Sequence, residues 1–212
     1  VMKKQRTSKT VAPENFDSPN SRENYLYFAD CDYLGARALF LLGLHIPAGV
    51  LAEQAVEKYM KLKLIEFTDG RLREETFTRC GHNLICLIPL VSAGMKKNNL
   101  KLGSEQYYED LLQHLTNCFK WKYFDKRGFR GELSAKGQAT TGMSDVFLPK
   151  FDQLCMELRN AVFLLGLGAS PVSKAMNTVK PWGRKEYANL AWAFYTNNEF
   201  AKQFVERSIT EY

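Results

Sequence analysis

Residues 33–67 constrain the fold more than any other part of the chain. They read YLGARALFLLGLHIPAGVLAEQAVEKYMKLKLIEF, with apolar residues at helical spacing on both sides of a break at residues 43–47. Gly43 is a typical helix stop, and Pro47 is tolerated in a first helical turn. The segment therefore predicts two consecutive helices joined by a short turn. The wide apolar face of the second predicts contact with more than one neighbour.

Helical patterns continue through the rest of the chain, and convincing strands are few. A further helix is expected from His82 onward, where Pro89 should kink or shorten it, and another is expected after the capping residue Ser104. A helix should follow Asp145, and an amphipathic one should follow Trp182. These patterns predict an all-α protein: an antiparallel four- to five-helix bundle with an extra C-terminal helix.

The 212 residues suit one domain with appendages. Residues 1–20 are polar and proline-containing, which predicts a flexible tail. Residues 21–165 carry the bundle pattern, residues 166–183 are rich in turn-forming residues and predict a linker, and residues 184–212 predict a helix packed on the bundle.

Several classes of protein are disfavoured by composition. No apolar run is long enough to span a bilayer, and the basic start lacks the apolar stretch of a signal peptide. The cysteines are odd in number and form no CxxC pair, which predicts buried thiols in a reducing cytoplasm rather than a disulfide framework or zinc ribbon. We therefore expect a cytoplasmic protein without a membrane contact, cofactor or metal site. The cysteines are Cys31, Cys80, Cys86, Cys118 and Cys155.

Four short patterns occur in an order that resembles the HEPN family of helical modules. The first is the small-and-leucine run at residues 35–42, and the second is a Gln-x-x-Glu-Lys-x-x-Lys pattern that begins at Gln54 and includes Glu57. A histidine, polar residue and leucine begin at His82, and a basic–aromatic segment surrounds Trp121. The resemblance covers residues 22–163 and implies a nucleotide- or RNA-associated bundle that forms a homodimer.

The resemblance also bears on catalysis. Many HEPN proteins are ribonucleases that use an arginine, a following polar residue and a histidine a few positions later. Arg159 and Asn160 stand at the matching place, but residues 161–168 contain no histidine. The general acid–base group is therefore missing, so we expect no catalytic residue. In the binding hypothesis Arg159 grips a phosphate and Asn160 orients a base; in the alternative, Arg159 covers a helix face and Asn160 marks its end.

A second candidate ligand-binding region follows Phe119, where basic and aromatic residues alternate. Cations there can contact phosphates while aromatic rings stack on bases. The alternative is an ordinary helix end with aromatic residues packed inward and lysines in solvent. The candidate residues are Lys120, Trp121, Lys122, Tyr123 and Arg127.

Three functions follow from these patterns. The first is a non-catalytic module that binds a nucleotide or RNA. The second is a protein-interaction or antitoxin-like regulatory module that docks a protein partner through an exposed apolar face. The third is a metal-independent ribonuclease that uses a nonstandard group such as His82 or Tyr123. Otherwise His82 is expected to bond locally at a helix start, and Glu57 and Lys61 to form an ordinary i,i+4 pair.

Overall fold

The computed structural model describes residues 19–68, 79–119, 143–160, 171–178 and 188–201. Within these ranges the chain forms helices and no strand, so the predicted all-α class is confirmed for this part of the protein. The helices are α1 (Pro19–Leu41), α2 (His45–Phe67), α3 (Leu84–Lys97), α4 (Glu105–Phe119), α5 (Leu148–Asn160), α6 (Pro171–Thr178) and α7 (Ala188–Tyr195).

The predicted turn between the first two helices is confirmed. Gly43 has a φ of +76°, which glycine adopts without the steric cost that a Cβ would bring. The amide of Gly43 donates to the Phe40 carbonyl at 2.9 Å, and that of Leu44 donates to the Leu39 carbonyl at 2.8 Å. These bonds close the end of α1 and reverse the chain, so α2 packs back along α1.

Helix α2 is the central helix of the bundle. Buried residues lie on all of its sides, because α2 packs against α1, α3, α4 and α5. At Gly49 a Cβ would lie 2.8 Å from the Sγ of Cys118 on α4. The two helices can approach this closely because residue 49 has no side chain. The contact of this helix with several neighbours, expected from its wide apolar face, is confirmed.

The two middle helices differ in how well their patterns predicted them. Ser104 caps α4, since its Oγ accepts from the Tyr107 amide at 3.2 Å, as predicted. Pro89 does not end α3, which runs through it from Leu84 to Lys97; whether Pro89 kinks the helix stays a prediction. Pro89 lies on the exposed side of the helix, where water can bond to the carbonyl that proline leaves without an amide partner.

A disulfide joins Cys80 to Cys86, which corrects the prediction that the cysteines would remain thiols. Gly81 adopts a φ of +54°, and Asn83 caps α3 by accepting from the Cys86 amide at 3.3 Å. This turn brings the two Cα atoms 5.4 Å apart, within the range that a disulfide spans. Counting cysteines missed the pair because the turn, and not a short spacing motif, brings them together. The free cysteines Cys118 and Cys155 are buried, as expected.

The C-terminal part of the described chain differs from its sequence-based outline. Helix α6 occupies residues within 166–183, where a linker was predicted. The predicted final helix is interrupted, because α7 ends at Tyr195 and Asn197 adopts a φ of +55° before helical structure resumes at Glu199. The predicted tail at residues 1–20 lies outside the described residues except at the start of α1. Within the described ranges, no helix combines the length and apolar character needed to cross a bilayer.

Candidate functional site

Arg159, the first candidate ligand-binding residue, is buried in the last turn of α5 with 2% of its surface exposed. Its Nε donates to Oδ1 of Asp30 at 3.0 Å, and its Nη2 donates to Oδ2 at 3.2 Å. This is a bidentate ion pair between α5 and α1, a geometry that suits a guanidinium and a carboxylate. The guanidinium therefore points into the protein, and the structure does not present it to a phosphate in solvent.

Asp30 is the centre of a wider group of hydrogen bonds. The hydroxyl of Tyr59 donates to Asp30 Oδ1 at 2.5 Å, and the backbone amide of Val172 donates to Oδ2 at 3.3 Å. Arg159 also donates to the hydroxyl of Ser173 at 3.0 Å. Burial is the largest single influence on the pKa of Arg159 and lowers it, but Asp30, Tyr59 and Tyr33 together raise the pKa by more, so the net effect is a raised pKa. The Arg159 guanidinium therefore stays charged, and its pair with Asp30 connects α1, α2, α5 and α6.

A second buried ion pair joins Arg37 of α1 to Asp152 of α5. The hydroxyl of Tyr33 donates to Asp152 Oδ1 at 2.9 Å. Arg37 also donates through Nε to the carbonyl of Ala193 at 2.7 Å, and through Nη2 to the carbonyl of Thr196. One arginine therefore satisfies a carboxylate on α5 and two carbonyls at the end of α7. Asn198 adds to this group by donating to the Tyr33 hydroxyl at 2.9 Å.

The two ion pairs have a reciprocal arrangement. On α1, Asp30 precedes Arg37 by seven residues, and on α5, Asp152 precedes Arg159 by seven residues. Seven residues are about two helical turns, so each pair of charges lies on one helix face. Because Asp30 bonds to Arg159 and Arg37 bonds to Asp152, the two helices run antiparallel with opposite charges facing each other. We call these four residues the α1–α5 ion pairs.

The α1–α5 ion pairs bind the C-terminal helices to the bundle. One pair accepts from the first turn of α6 at Val172, and the other donates to carbonyls of Ala193 and Thr196. All four charged side chains are nearly excluded from solvent. The sequence left Arg159 as either a phosphate ligand or a residue that covers a helix face. Its hydrogen bonds in the structure connect α5 to α1 and α6.

The pH dependence of stability should report on Asp152. Burial raises the pKa of this carboxyl to about 6, while Arg37 and Tyr33 act in the opposite direction. Because the folded pKa exceeds the ordinary aspartate value of 3.8, the folded chain binds a proton more readily than the unfolded chain between these pH values. The contribution of Asp152 to stability is therefore greatest at low pH and is lost as the pH rises through about 6.

We compare the free energy of unfolding of the wild type with that of Asp152→Asn. The difference, wild type minus variant, should fall by about 2 kcal/mol as the pH rises from about 4.5 to about 7.5. Urea titrations across this range measure the difference. Asp110→Asn is the control, because Lys150 lowers the pKa of Asp110 and the trend should be smaller and opposite in sign. A difference for Asp152→Asn that stays constant or grows with pH would contradict the raised pKa of Asp152.

The three histidines contact different parts of the fold. His45 Nδ1 lies 2.9 Å from the carbonyl of Met143, and the ring of His114 stacks on Phe147 with centroids 4.6 Å apart. His82 Nδ1 lies 2.7 Å from Oε2 of Glu57. None of these described contacts is with the arginine of α5.

Glu53, Glu57 and His82 form a group that sequence analysis did not identify. One potential ligand atom from each residue lies within 4.8 Å of the other two. The expected i,i+4 pair between Glu57 and Lys61 is confirmed, and it engages the other oxygen of Glu57. The described bond of His82 is with Glu57 on α2, 25 positions earlier in the sequence. These three residues could hold a metal ion.

The basic–aromatic candidates lie outside the described residues and stay predictions. They are Lys120, Trp121, Lys122, Tyr123 and Arg127. Asn160 is the last residue of α5, and its side chain also lies outside what the structure describes. Helix α4 is described as far as Phe119, and the basic–aromatic candidates follow it in the sequence.

An exposed apolar surface lies around the turn between α1 and α2. Leu42 and Leu44 are 65% and 49% exposed, and Ile46 is also exposed. The amide of Met143 donates to the carbonyl of His45 at 3.0 Å, which brings the chain leading to the exposed Val146 beside this turn. We call Leu42, Leu44, Ile46 and Val146 the apolar corner.

No protein-family model, curated protein or solved structure matches this chain. The resemblance to the HEPN family is therefore a prediction that rests on the short patterns in residues 22–163.

Proposed function

We propose that this chain is a non-catalytic, HEPN-like helical module that forms a homodimer and binds RNA or a nucleotide. The observation that supports the non-catalytic part is the burial of Arg159 against Asp30. In a ribonuclease of this family the matching arginine must reach the scissile phosphate. Here the guanidinium is engaged inside the bundle, and the histidines contact other residues.

The binding part of the proposal assigns the phosphate contacts to the segment after α4. Lys120, Lys122 and Arg127 supply charge, while Trp121 and Tyr123 supply rings for stacking on bases. The net charge of +6 favours approach of a polyanion. The cytoplasm is the proposed compartment because RNA and nucleotides occur there. Reductants in that compartment would act on the Cys80–Cys86 disulfide.

Charge reversal of the basic–aromatic segment is expected to abolish most RNA binding. Fluorescence anisotropy of a short labelled RNA across a salt series measures affinity for the wild type and for a triple variant, Lys120→Glu, Lys122→Glu and Arg127→Glu. Losing three phosphate contacts should weaken binding at least about 10-fold at low salt and reduce the slope of log K against log salt by about 2.

The matched control reverses the same number of charges elsewhere. Lys96, Lys97 and Lys101 are exposed around the end of α3, so their substitution by glutamate changes the net charge equally. The control should keep most of the affinity. Equal losses in both variants would indicate unspecific attraction to a basic protein, and no RNA or nucleotide binding at low salt would reject the proposal. A gel of the same samples tests the ribonuclease alternative, which unchanged RNA would end.

The apolar corner favours a second candidate function, a protein-interaction module of the regulatory or antitoxin-like kind. Leu42, Leu44, Ile46 and Val146 place apolar side chains in solvent at one end of the bundle. Exposed large apolar side chains on neighbouring parts of the chain are a feature of docking sites. The RNA titration separates the two functions, since a protein-docking module has no reason to bind RNA with a strong salt dependence.

A further inference from the structure

We propose that Glu53, Glu57 and His82 form a binding site for a divalent first-row transition-metal ion of the Zn²⁺ type. The site lies between the middle of α2 and the turn that precedes α3. It is independent of the proposed RNA contacts, which involve neither of these elements.

The geometry is that of three ligands converging from two elements. Glu53 and Glu57 are four residues apart on α2, so their carboxylates lie on one helix face. His82 approaches from the other side, with Nδ1 2.7 Å from Glu57 Oε2. The ligand atoms all lie within 4.8 Å of one another, whereas ligands about 2.1 Å from a tetrahedral metal are about 3.4 Å apart. Small side-chain rotations would therefore bring all three to one ion.

A cation bound here would interact strongly with the carboxylates of Glu53 and Glu57, because both are buried. Glu53 is fully buried and Glu57 is nearly so, and two carboxylates held close together repel each other more strongly in a poorly solvated interior than in water. Lys61 contributes one positive charge at Glu57. A divalent ion between the carboxylates would interact favourably with both of them, while Lys61 would hold Glu57 in position from outside the ligand set.

The ligand types select the class of ion. Two carboxylate oxygens and one imidazole nitrogen suit Zn²⁺, Mn²⁺ or Fe²⁺, because imidazole is a good ligand for these ions. Ca²⁺ takes six to eight oxygen ligands, which three residues including a histidine do not supply. Three protein ligands also leave a coordination position for water.

The turn that carries His82 is held by two neighbouring features. The Cys80–Cys86 disulfide encloses it, and Asn83 caps α3 immediately after it. The His82 side chain is 50% exposed, so an ion can reach the site from solvent on that side. The imidazole is therefore both positioned and accessible, while the carboxylates lie beneath it.

Zn²⁺ titration of the full chain tests this site. The protein is treated with a chelator, exchanged into non-reducing buffer and titrated with Zn²⁺ by calorimetry, with no RNA present. We expect one equivalent of tight binding and a rise in Tm with Zn²⁺ concentration. Co²⁺ should give visible absorption bands that report coordination by the same residues.

Three variants make the test specific. His82→Ala removes the exposed ligand and should weaken Zn²⁺ binding at least about 10-fold, since even substitutions outside the ligand set cost 10–100-fold. Glu53→Gln should do the same and is checked for folding by circular dichroism. His114→Ala removes a histidine that stacks on Phe147 and should leave the affinity unchanged.

Equal affinity in His82→Ala and the wild type would overturn the proposal, as would the absence of Zn²⁺ binding in the folded wild type. Loss of binding in His114→Ala but not in His82→Ala would place the ion elsewhere and also overturn it. Because the titration contains no RNA, failure here would not bear on the proposed RNA contacts.

Discussion

Replacing Asp30 by alanine is expected to lower the free energy of unfolding by about 3–5 kcal/mol, which is a large share of the stability of an average domain. Asp30 is fully buried and accepts hydrogen bonds from Arg159, Tyr59 and the Val172 amide. Without the carboxylate, a guanidinium with 2% exposure stays buried without its counter-charge. That uncompensated charge, rather than the loss of a bond alone, makes the expected effect large.

Urea unfolding of Asp30→Ala is best compared with that of Asp110→Ala. Asp110 also pairs with a cation, Lys150, with both of its oxygens 2.8 Å from Nζ, but its side chain is 55% exposed. An exposed pair of this kind contributes about 0–1 kcal/mol, so the control should change little. Both substitutions remove an aspartate from a pair with a cation, but Asp30 is buried and accepts further hydrogen bonds, whereas Asp110 is exposed.

A double variant, Asp30→Leu with Arg159→Met, separates the charge effect from the loss of side-chain volume. Replacing both members of a buried ion pair by apolar residues is often close to neutral, whereas removing one is costly. We therefore expect the double variant to recover much of the stability that Asp30→Ala loses. A loss below about 1 kcal/mol in Asp30→Ala would mean that Arg159 reaches solvent easily and would restore it as a candidate phosphate ligand.

The hairpin of α1 and α2 was predictable because local sequence determines it. Gly43 permits the positive φ that ends α1, and apolar residues surround α2 because it has neighbours on all sides. Ser104 was predictable for the same reason, since a capping hydroxyl acts within its own turn. Each of these features depends on residues that are close together in the chain.

The α1–α5 ion pairs depend on residues more than 100 positions apart, and periodicity does not reveal such pairings. A signal was present: an aspartate seven residues before an arginine occurs in both helices, as Asp30 with Arg37 and Asp152 with Arg159. Charges with that spacing on otherwise apolar faces indicate buried, mutually paired groups. The resemblance to a nuclease family instead drew attention to Arg159 as a surface ligand.

The same limit applies to the group of Glu53, Glu57 and His82. The carboxylates come from α2 and the histidine from the turn before α3, so no ligand spacing along the chain indicates the group. The sequence also does not indicate the turn containing His82, because the Cys80–Cys86 disulfide does not follow a short cysteine motif. Sequence reasoning found the helices that carry the site but could not determine which faces meet.

Replacing Arg37 by alanine is expected to cost about 3–5 kcal/mol of unfolding free energy and to loosen the C-terminal helices more than the rest of the bundle. The Arg37 guanidinium is fully buried, pairs with Asp152, and donates to the carbonyls of Ala193 and Thr196. Its removal leaves a buried carboxylate and two carbonyls without that donor. Hydrogen exchange measured by mass spectrometry should show the largest increase in residues 188–201, and a small increase in α3.

Arg37→Lys is the control that separates charge from geometry. A lysine keeps the positive charge near Asp152, but a single ammonium group cannot reproduce the fork that reaches α5 and α7 together. We expect an intermediate loss of stability, with the exchange of residues 188–201 still increased. If Arg37→Ala raised exchange uniformly, or if Arg37→Lys matched the wild type, Arg37 would contribute charge alone. The attachment of α7 would then depend on its apolar contacts, such as the edge-to-face contact of Phe194 with Tyr33 at 6.3 Å.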